Sequence, residues 1–304
     1  MKKVILLGAK GQLGKALEKE LSDSFEVSAF SKNELDITDF LAVKKVCGEI
    51  QPDFLVNAAA YTNVDGAEAE RELALQINAE AVGNLAEACR TTGAKLIHFS
   101  TDYVFDGKSD DGYAEDAEPN PLNFYGETKL AGEKNIQASG CDFTIIRTSW
   151  LFGDGENFVT KMLTLAEKNS EIKVVSDQIG SPTFTEDLAQ ATKKIILNCH
   201  PRDLSAEALA KVEGGDPKKS KTIFHVTNSG TTSWADFARK IFDIKKLPTK
   251  VIDIPTAGFP TPAKRPKNSV LRNTKVPELR SWQEALEGFL NQKERCPSGT
   301  SLQM

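Results

Sequence analysis

The chain is poor in the residues that build metal and disulfide chemistry. Its 304 residues include three histidines, His98, His200 and His225, and five cysteines, Cys47, Cys89, Cys141, Cys199 and Cys296. No two cysteines form a CxxC pair, so neither a zinc site nor a disulfide framework is suggested, and the thiols read as reduced structural residues. Long apolar runs are missing too. The run at 4–7 is too short for a signal-peptide core, and nothing approaches the roughly 20 residues of a membrane span. Basic charge is scarce: 38 Lys and Arg stand against 43 Asp and Glu, a net charge of -5. That argues against a nucleic-acid partner, which needs a clustered basic face. Two strong basic groupings stand out, 218–221 and 264–267, and the first reads as a solvated loop. These absences leave a cytoplasmic protein, and a hydrophobic share of 40% supplies a substantial core.

What is present is alternation. Strand-like apolar runs at 3–7, 26–30, 53–57, 95–100 and 143–148 are separated by helically patterned segments at 12–21, 40–50 and 70–89. Parallel strands need such crossovers, so the fold class is α/β: a Rossmann-type, doubly wound parallel sheet with a smaller C-terminal substrate-binding lobe. Residues 1–150 form the dinucleotide-binding domain, its sheet completed by later segments. Residues 151–293 mainly form the lobe, with strands at 173–175, 222–226 and 250–254 and helices at 186–197, 233–242 and 282–290, the helix at 233 capped by Thr232 or Ser233. The polar stretch 198–221 reads as an inserted helix and loop, and 294–304 as a disordered tail.

Gly8, Gly11 and Gly14 follow the first strand in GAKGQLG, and a helix opens at once. Glycine permits the tight turn and lets the backbone approach a pyrophosphate, whose charge the helix N-terminus favours. The second strand ends in Ser31 and Lys32 with no acid to bind ribose hydroxyls, so the turn predicts NADPH, with NADH tolerated. Asp36 and Ile37 in LDITD suit an adenine, and the small residues 58–60 after Asn57 let a cofactor lie against the sheet edge.

Tyr125 and Lys129 sit at i and i+4 of a predicted helix, on one face. Hydride arriving at a carbonyl makes an alkoxide that needs a proton, and a tyrosine is a suitable acid only when a cation favours its ionised form. Lys129 is that cation, and Thr101, at the end of the fourth strand, polarises the same oxygen. The acidic segment 106–118 between them is expected to be a mobile, solvated loop.

The strings GAKGQLG, VNAAAYTNVDGAE, STDYVFDG, NFYGETKLAGE, RTSWLFG, DQIGSPT, SGTTSW and PTPAKRPKNS occur in this order over positions 8–269, and together resemble the dTDP-4-dehydrorhamnose reductase family. The resemblance implies NADPH-dependent reduction of the C4 keto group of dTDP-4-dehydro-β-L-rhamnose, with Thr101, Tyr125 and Lys129 catalytic. It places Gly11, Gln12, Leu13, Asp36, Ile37, Ala59, Ala60, Tyr61 and Thr62 on the cofactor, and Thr101, Asp102, Tyr103, Tyr125 and Trp150 on the substrate. Arg265, with Lys267, would neutralise the substrate diphosphate. Some relatives bind magnesium through glutamates at a dimer interface, one of them early in the first helix. Ala16 stands where that acid would be, so no catalytic metal is expected, and the protein is a monomer or homodimer. Two alternatives remain: a reductase or epimerase of another nucleotide-linked deoxysugar, and a non-catalytic NADP-binding regulatory subunit.

Overall fold

The computed structural model describes residues 1–198 and 221–295, so the expected insertion and all of the tail beyond residue 295 lie outside the described residues. Strand β1 (Lys3–Leu7) is buried from its second residue on, as a strand covered on both faces must be. It pairs in parallel with β2 (Glu26–Phe30) on one side and β3 (Phe54–Asn57) on the other. Beyond β3 follow β4 (Lys95–Thr101), β5 (Asp142–Thr148) and β10 (Lys221–His225), all parallel. The resulting order, β2-β1-β3-β4-β5-β10, turns back on itself between β1 and β3. In doubly wound sheets the ligand crevice lies beyond the strand ends at such a switch point.

Helices cover both faces because their apolar residues recur with the helical period. On one face α1 (Gln12–Leu21) sets Leu13, Leu17 and Leu21 against Leu188, Ile195 and Ile196 of α8 (Thr185–Asn198). On the other, α2 (Phe40–Ile50), α5 (Ala81–Thr92) and α6 (Phe124–Ala138) bury Val43, Cys47, Leu85, Cys89 and Ile136. Each fully buried side chain of this size contributes about 1.5–3 kcal/mol. Both α8 and β10 come from beyond residue 150, and return to pack on the sheet.

The lobe pairs β7 (Glu171–Val175) with β12 (Lys250–Ile254) in parallel. Two short pairs accompany it, β6 (Leu151–Phe152) with β9 (Thr183–Phe184) and β8 (Ile179–Gly180) with β11 (Thr232–Ser233). Around them lie α7 (Phe158–Ala166), α9 (Trp234–Ile244) and α10 (Trp282–Arg295), which pack about Phe152, Phe184 and Phe237. Ser233 caps α9 by accepting the Asp236 N–H at 3.0 Å.

Two expectations are corrected. The helix expected over 70–89 runs unbroken over 71–92 as α4 (Arg71–Leu75), a π-helical turn (Gln76–Glu80) and α5, but it carries that π turn and is preceded by a separate short helix, α3 (Gly66–Ala69), from which Glu70, at φ -102°, ψ 49°, divides it. The acidic segment 106–118 is anchored: Tyr113 stacks on Phe105 with ring centroids 4.2 Å apart. Glu115 is buried and accepts from the backbone N–H groups of His225 and Thr274. Acidity signals solvation only where the carboxylates lack internal donors, and here Asp106 also takes the Tyr113 hydroxyl at 2.8 Å.

Candidate functional site

A cleft of about 860 Å³ opens at the switch point. Its walls carry Gly8, Gly11, Gln12, Leu13, Ser31, Lys32, Asp36, Ile37, Ala59, Ala60, Tyr61, Thr62, Tyr125 and Lys129, every residue expected at the cofactor except Gly14, which stands behind the wall. Gly8 has φ +82°, and a Cβ there would lie 2.7 Å from the Ala59 nitrogen. A Cβ on Gly14 would meet the Gly8 carbonyl oxygen at 2.1 Å, so the helix can approach the turn only through glycine. Gly11 occupies the N-cap of α1 without a side-chain cap, which leaves the first N–H groups of the helix facing the cleft for an anion. Gln12 closes one end: it donates to the Glu156 carbonyl at 2.8 Å and accepts from Asn157 at 3.0 Å, tying the turn to the lobe.

The end of β2 is not free of acid. Glu34 accepts the Ser31 backbone N–H at 2.8 Å and its hydroxyl at 2.6 Å, and these bonds hold its carboxyl below the usual carboxylate range. The acid lies three positions past Ser31, in the turn, where a reading confined to the strand end missed it. Asp36 spends Oδ1 on the Thr38 N–H and hydroxyl, which fixes the turn that presents Ile37 to the cleft.

Asn123 caps α6 by accepting the Gly126 N–H at 2.8 Å, which fixes where the helix starts and so where Tyr125 and Lys129 point. Burial pushes the Tyr125 hydroxyl up, and Thr101, whose hydroxyl can donate to the phenolic oxygen when it turns from Asp102, pulls it part of the way back. Burial brings Lys129 down to about 8, with Glu133 acting in the opposite direction. Lys129 Nζ donates to the Phe99 carbonyl at 2.6 Å and lies 3.3 Å from His98 Nε2. Thr101, which ends β4, donates to Asp102 Oδ1 at 2.9 Å and accepts from the Tyr103 N–H at 3.2 Å. Burial raises the Asp102 carboxyl to about 6.

Sequence reasoning missed several contributors. Asn78, in the π-helical turn, accepts the Tyr61 N–H at 2.9 Å and donates to the Tyr61 carbonyl and to Thr128, clamping the cleft wall to α6. Asn57 contacts His98 across the sheet at 3.1 Å. The hydroxyls of Ser100 and Thr148, both in the cleft wall, find no partner among the described residues.

The residues expected at the substrate are divided. Tyr103 packs edge to face on Tyr125, centroids 5.8 Å apart, beside Thr101 and Asp102. Trp150 stacks on Trp234 at 3.5 Å and 7° and takes the left-handed φ of +47°, which costs a bulky residue on the order of 1–3 kcal/mol. It stands outside the large cleft, although Thr148 and Leu151 on either side line it. Arg265 does not reach into that cleft either: it pairs with Asp65 at 2.7 and 3.1 Å and lies against Tyr103. Lys267 is exposed. Ala16 is packed in the core, and among the described residues no group of three or more His, Cys, Asp or Glu is placed to hold a metal ion. No helix of the described residues is long and apolar enough to cross a membrane.

Known proteins resemble this chain in sequence and fold. Residues 1–295 match the family model of the RmlD substrate binding domain. The chain is 40% identical over 301 residues to the spore coat polysaccharide biosynthesis protein SpsK of Bacillus subtilis, covering 96% of this chain and 98% of that protein. It is 39% identical over 305 residues to the dTDP-4-dehydrorhamnose reductase of Escherichia coli K12, covering 95% and 97%. The crystal structure of dTDP-4-dehydrorhamnose reductase from Bacillus anthracis, in complex with NADP, superposes with a TM-score of 0.86 at 40% identity, over 96% of this chain and 100% of that one. The chain belongs to the dTDP-4-dehydrorhamnose reductase family.

Proposed function

We propose that this protein reduces the C4 keto group of dTDP-4-dehydro-β-L-rhamnose with NADPH, giving dTDP-β-L-rhamnose for surface polysaccharide. The observation that carries the reading is the meeting of Tyr125 and Lys129 with the glycine turn in one cleft, Thr101 beside the tyrosine. The cleft fits the cofactor: Gly8 and Gly14 leave no room for a Cβ, the helix end is uncapped, and Lys10 and Lys32 stand at the wall beside Ser31. NADPH, when bound, supplies the hydride. The NADP complex of the relative from Bacillus anthracis supports the same choice.

The protein's own groups supply the rest. Gly8, Gly11 and the N-terminus of α1 receive the pyrophosphate. Tyr125 gives its phenolic proton to the oxygen that becomes an alkoxide, so the new C–H and O–H bonds take one hydride and one proton, and the tyrosinate recovers its proton from solvent. Protonated Lys129 favours that tyrosinate. Thr101 has one hydroxyl hydrogen, which Asp102 holds, and it serves the substrate oxygen by turning from Asp102. Asp102, Tyr103, Trp150 and Arg265 form the substrate side, where Arg265 must leave Asp65 to meet a diphosphate. The assembly proposed is a monomer or a homodimer. Cys47, Cys89 and Cys141 are free and buried, in keeping with a cytoplasmic enzyme.

The test is NADPH consumption by purified protein with dTDP-4-dehydro-L-rhamnose, with the product identified and Tyr125→Phe run beside it. Formation of dTDP-L-rhamnose, slowed by about 100-fold or more in the variant, is expected. Tight NADPH binding without turnover overturns the substrate assignment, and a fully active Tyr125→Phe overturns the proton donor.

A further inference from the structure

His98 is a fully buried histidine that the reaction described above does not use. It sits in the middle of β4, with its Nδ1 3.1 Å from Asn57 Nδ2 and its Nε2 3.3 Å from Lys129 Nζ. The orientation of the asparagine is set by a third group. Asn57 Oδ1 accepts the Ala59 N–H at 3.1 Å, so its amide nitrogen faces the ring and donates to Nδ1. A neutral imidazole that accepts at Nδ1 carries its hydrogen on Nε2. That hydrogen points at Lys129.

The lysine is thereby held between two groups of opposite demand. Nζ donates to the Phe99 carbonyl and faces the Nε2–H of His98. An ammonium would set hydrogen against hydrogen at the second contact, whereas a neutral amine accepts there. The other charged or titratable groups around Nζ are Glu133 on the same helix, which favours the ammonium but is itself paired with Arg147 of β5, and Tyr125 one turn earlier. Burial and the neighbouring lysine both keep the imidazole neutral.

We propose that His98 is a positioning residue for Lys129: held by Asn57 with its hydrogen on Nε2, it fixes where the amino group sits and disfavours the ammonium, which an anionic nucleotide in the cleft favours. The catalytic consequence rests on the function proposed above; the tautomer does not.

Two experiments on the full chain test it. Long-range proton–nitrogen correlation spectra should show His98 neutral with its hydrogen on Nε2; a hydrogen on Nδ1, or a charged ring near neutral pH, overturns the proposal. In steady-state assays His98→Gln, which retains an N–H donor near the Nε2 position, should keep the alkaline limb of kcat/KM. His98→Leu should move that limb up by about one pH unit and lower kcat about tenfold, with KM for NADPH changed less than about threefold. A folded His98→Leu whose limb is unmoved or lower overturns it. If the His98→Leu substitution prevents folding, the tautomer decides, and it still decides if the wild type fails to reduce the sugar, which separates the two failures.

Discussion

Lys129 illustrates how one residue ties stability and activity together with opposite signs. Its folded-state value is about 8 against an ordinary 10.5, so between these values the unfolded chain binds the extra proton. Stability therefore rises with pH across that window, while activity falls as the ammonium that supports Tyr125 is lost. Denaturant midpoints and kcat/KM measured at several pH values above about 8 should move in opposite directions; parallel losses would contradict the charge assigned to Lys129. Glu34 is the second residue with a clear consequence. Its carboxylate occupies the Ser31 N–H and hydroxyl that a ribose phosphate would otherwise take. Glu34→Ala is expected to raise the preference for NADPH over NADH by about three- to tenfold, since it removes a competing charge at a partly screened site. The ratio of kcat/KM values for the two cofactors checks this.

At the scale of the elements, residues that act where they stand in a contiguous motif were legible. Gly8 and Gly11 lie in one turn, and Ala59 and Ala60 follow one strand end, so the strand-to-helix pattern placed them in a common crevice before any coordinates, and the family resemblance added Gln12, Leu13, Tyr61 and Thr62. Tyr125 and Lys129 were legible through helical spacing taken together with the glycine turn and Thr101 at the end of β4. The residues that hold these in place were not, because their partners are distant in the chain. Asn57 and His98 are 41 positions apart and Asn78 and Thr128 are 50 apart, so nothing local marks either pair. A histidine within an apolar strand reads as core, and only the pairing of β3 with β4 shows what it faces. The π turn over 76–80 was hidden for a related reason: it keeps the helical composition and shifts only the register. Arg265 was read from charge, which does not reveal that Asp65, 200 positions earlier, already holds it.

For the whole molecule, the two halves of the chain are interlocked. β10 completes the sheet and α8 covers it, and beneath them a buried network joins distant segments. Arg147 pairs with Glu133 at 3.0 and 2.7 Å and reaches His225 of β10, whose backbone N–H is held by Glu115 of the acidic segment. Arg147→Met leaves Glu133 as an uncompensated buried charge and is expected to cost about 3–5 kcal/mol, read as a lowered denaturant midpoint. A cost under about 1 kcal/mol would show that the pair is not a structural centre of the molecule.

The central claim is that this cleft passes a hydride from its nucleotide to C4 of a dTDP-linked sugar. NADPH carrying deuterium at C4 of the nicotinamide, on the face that the enzyme uses, tests it most directly, with the product read by proton NMR. The account predicts deuterium at C4 of dTDP-L-rhamnose, in step with NADPH consumed. A product without the label, or one that forms without consuming NADPH as an epimerase would make it, contradicts the account.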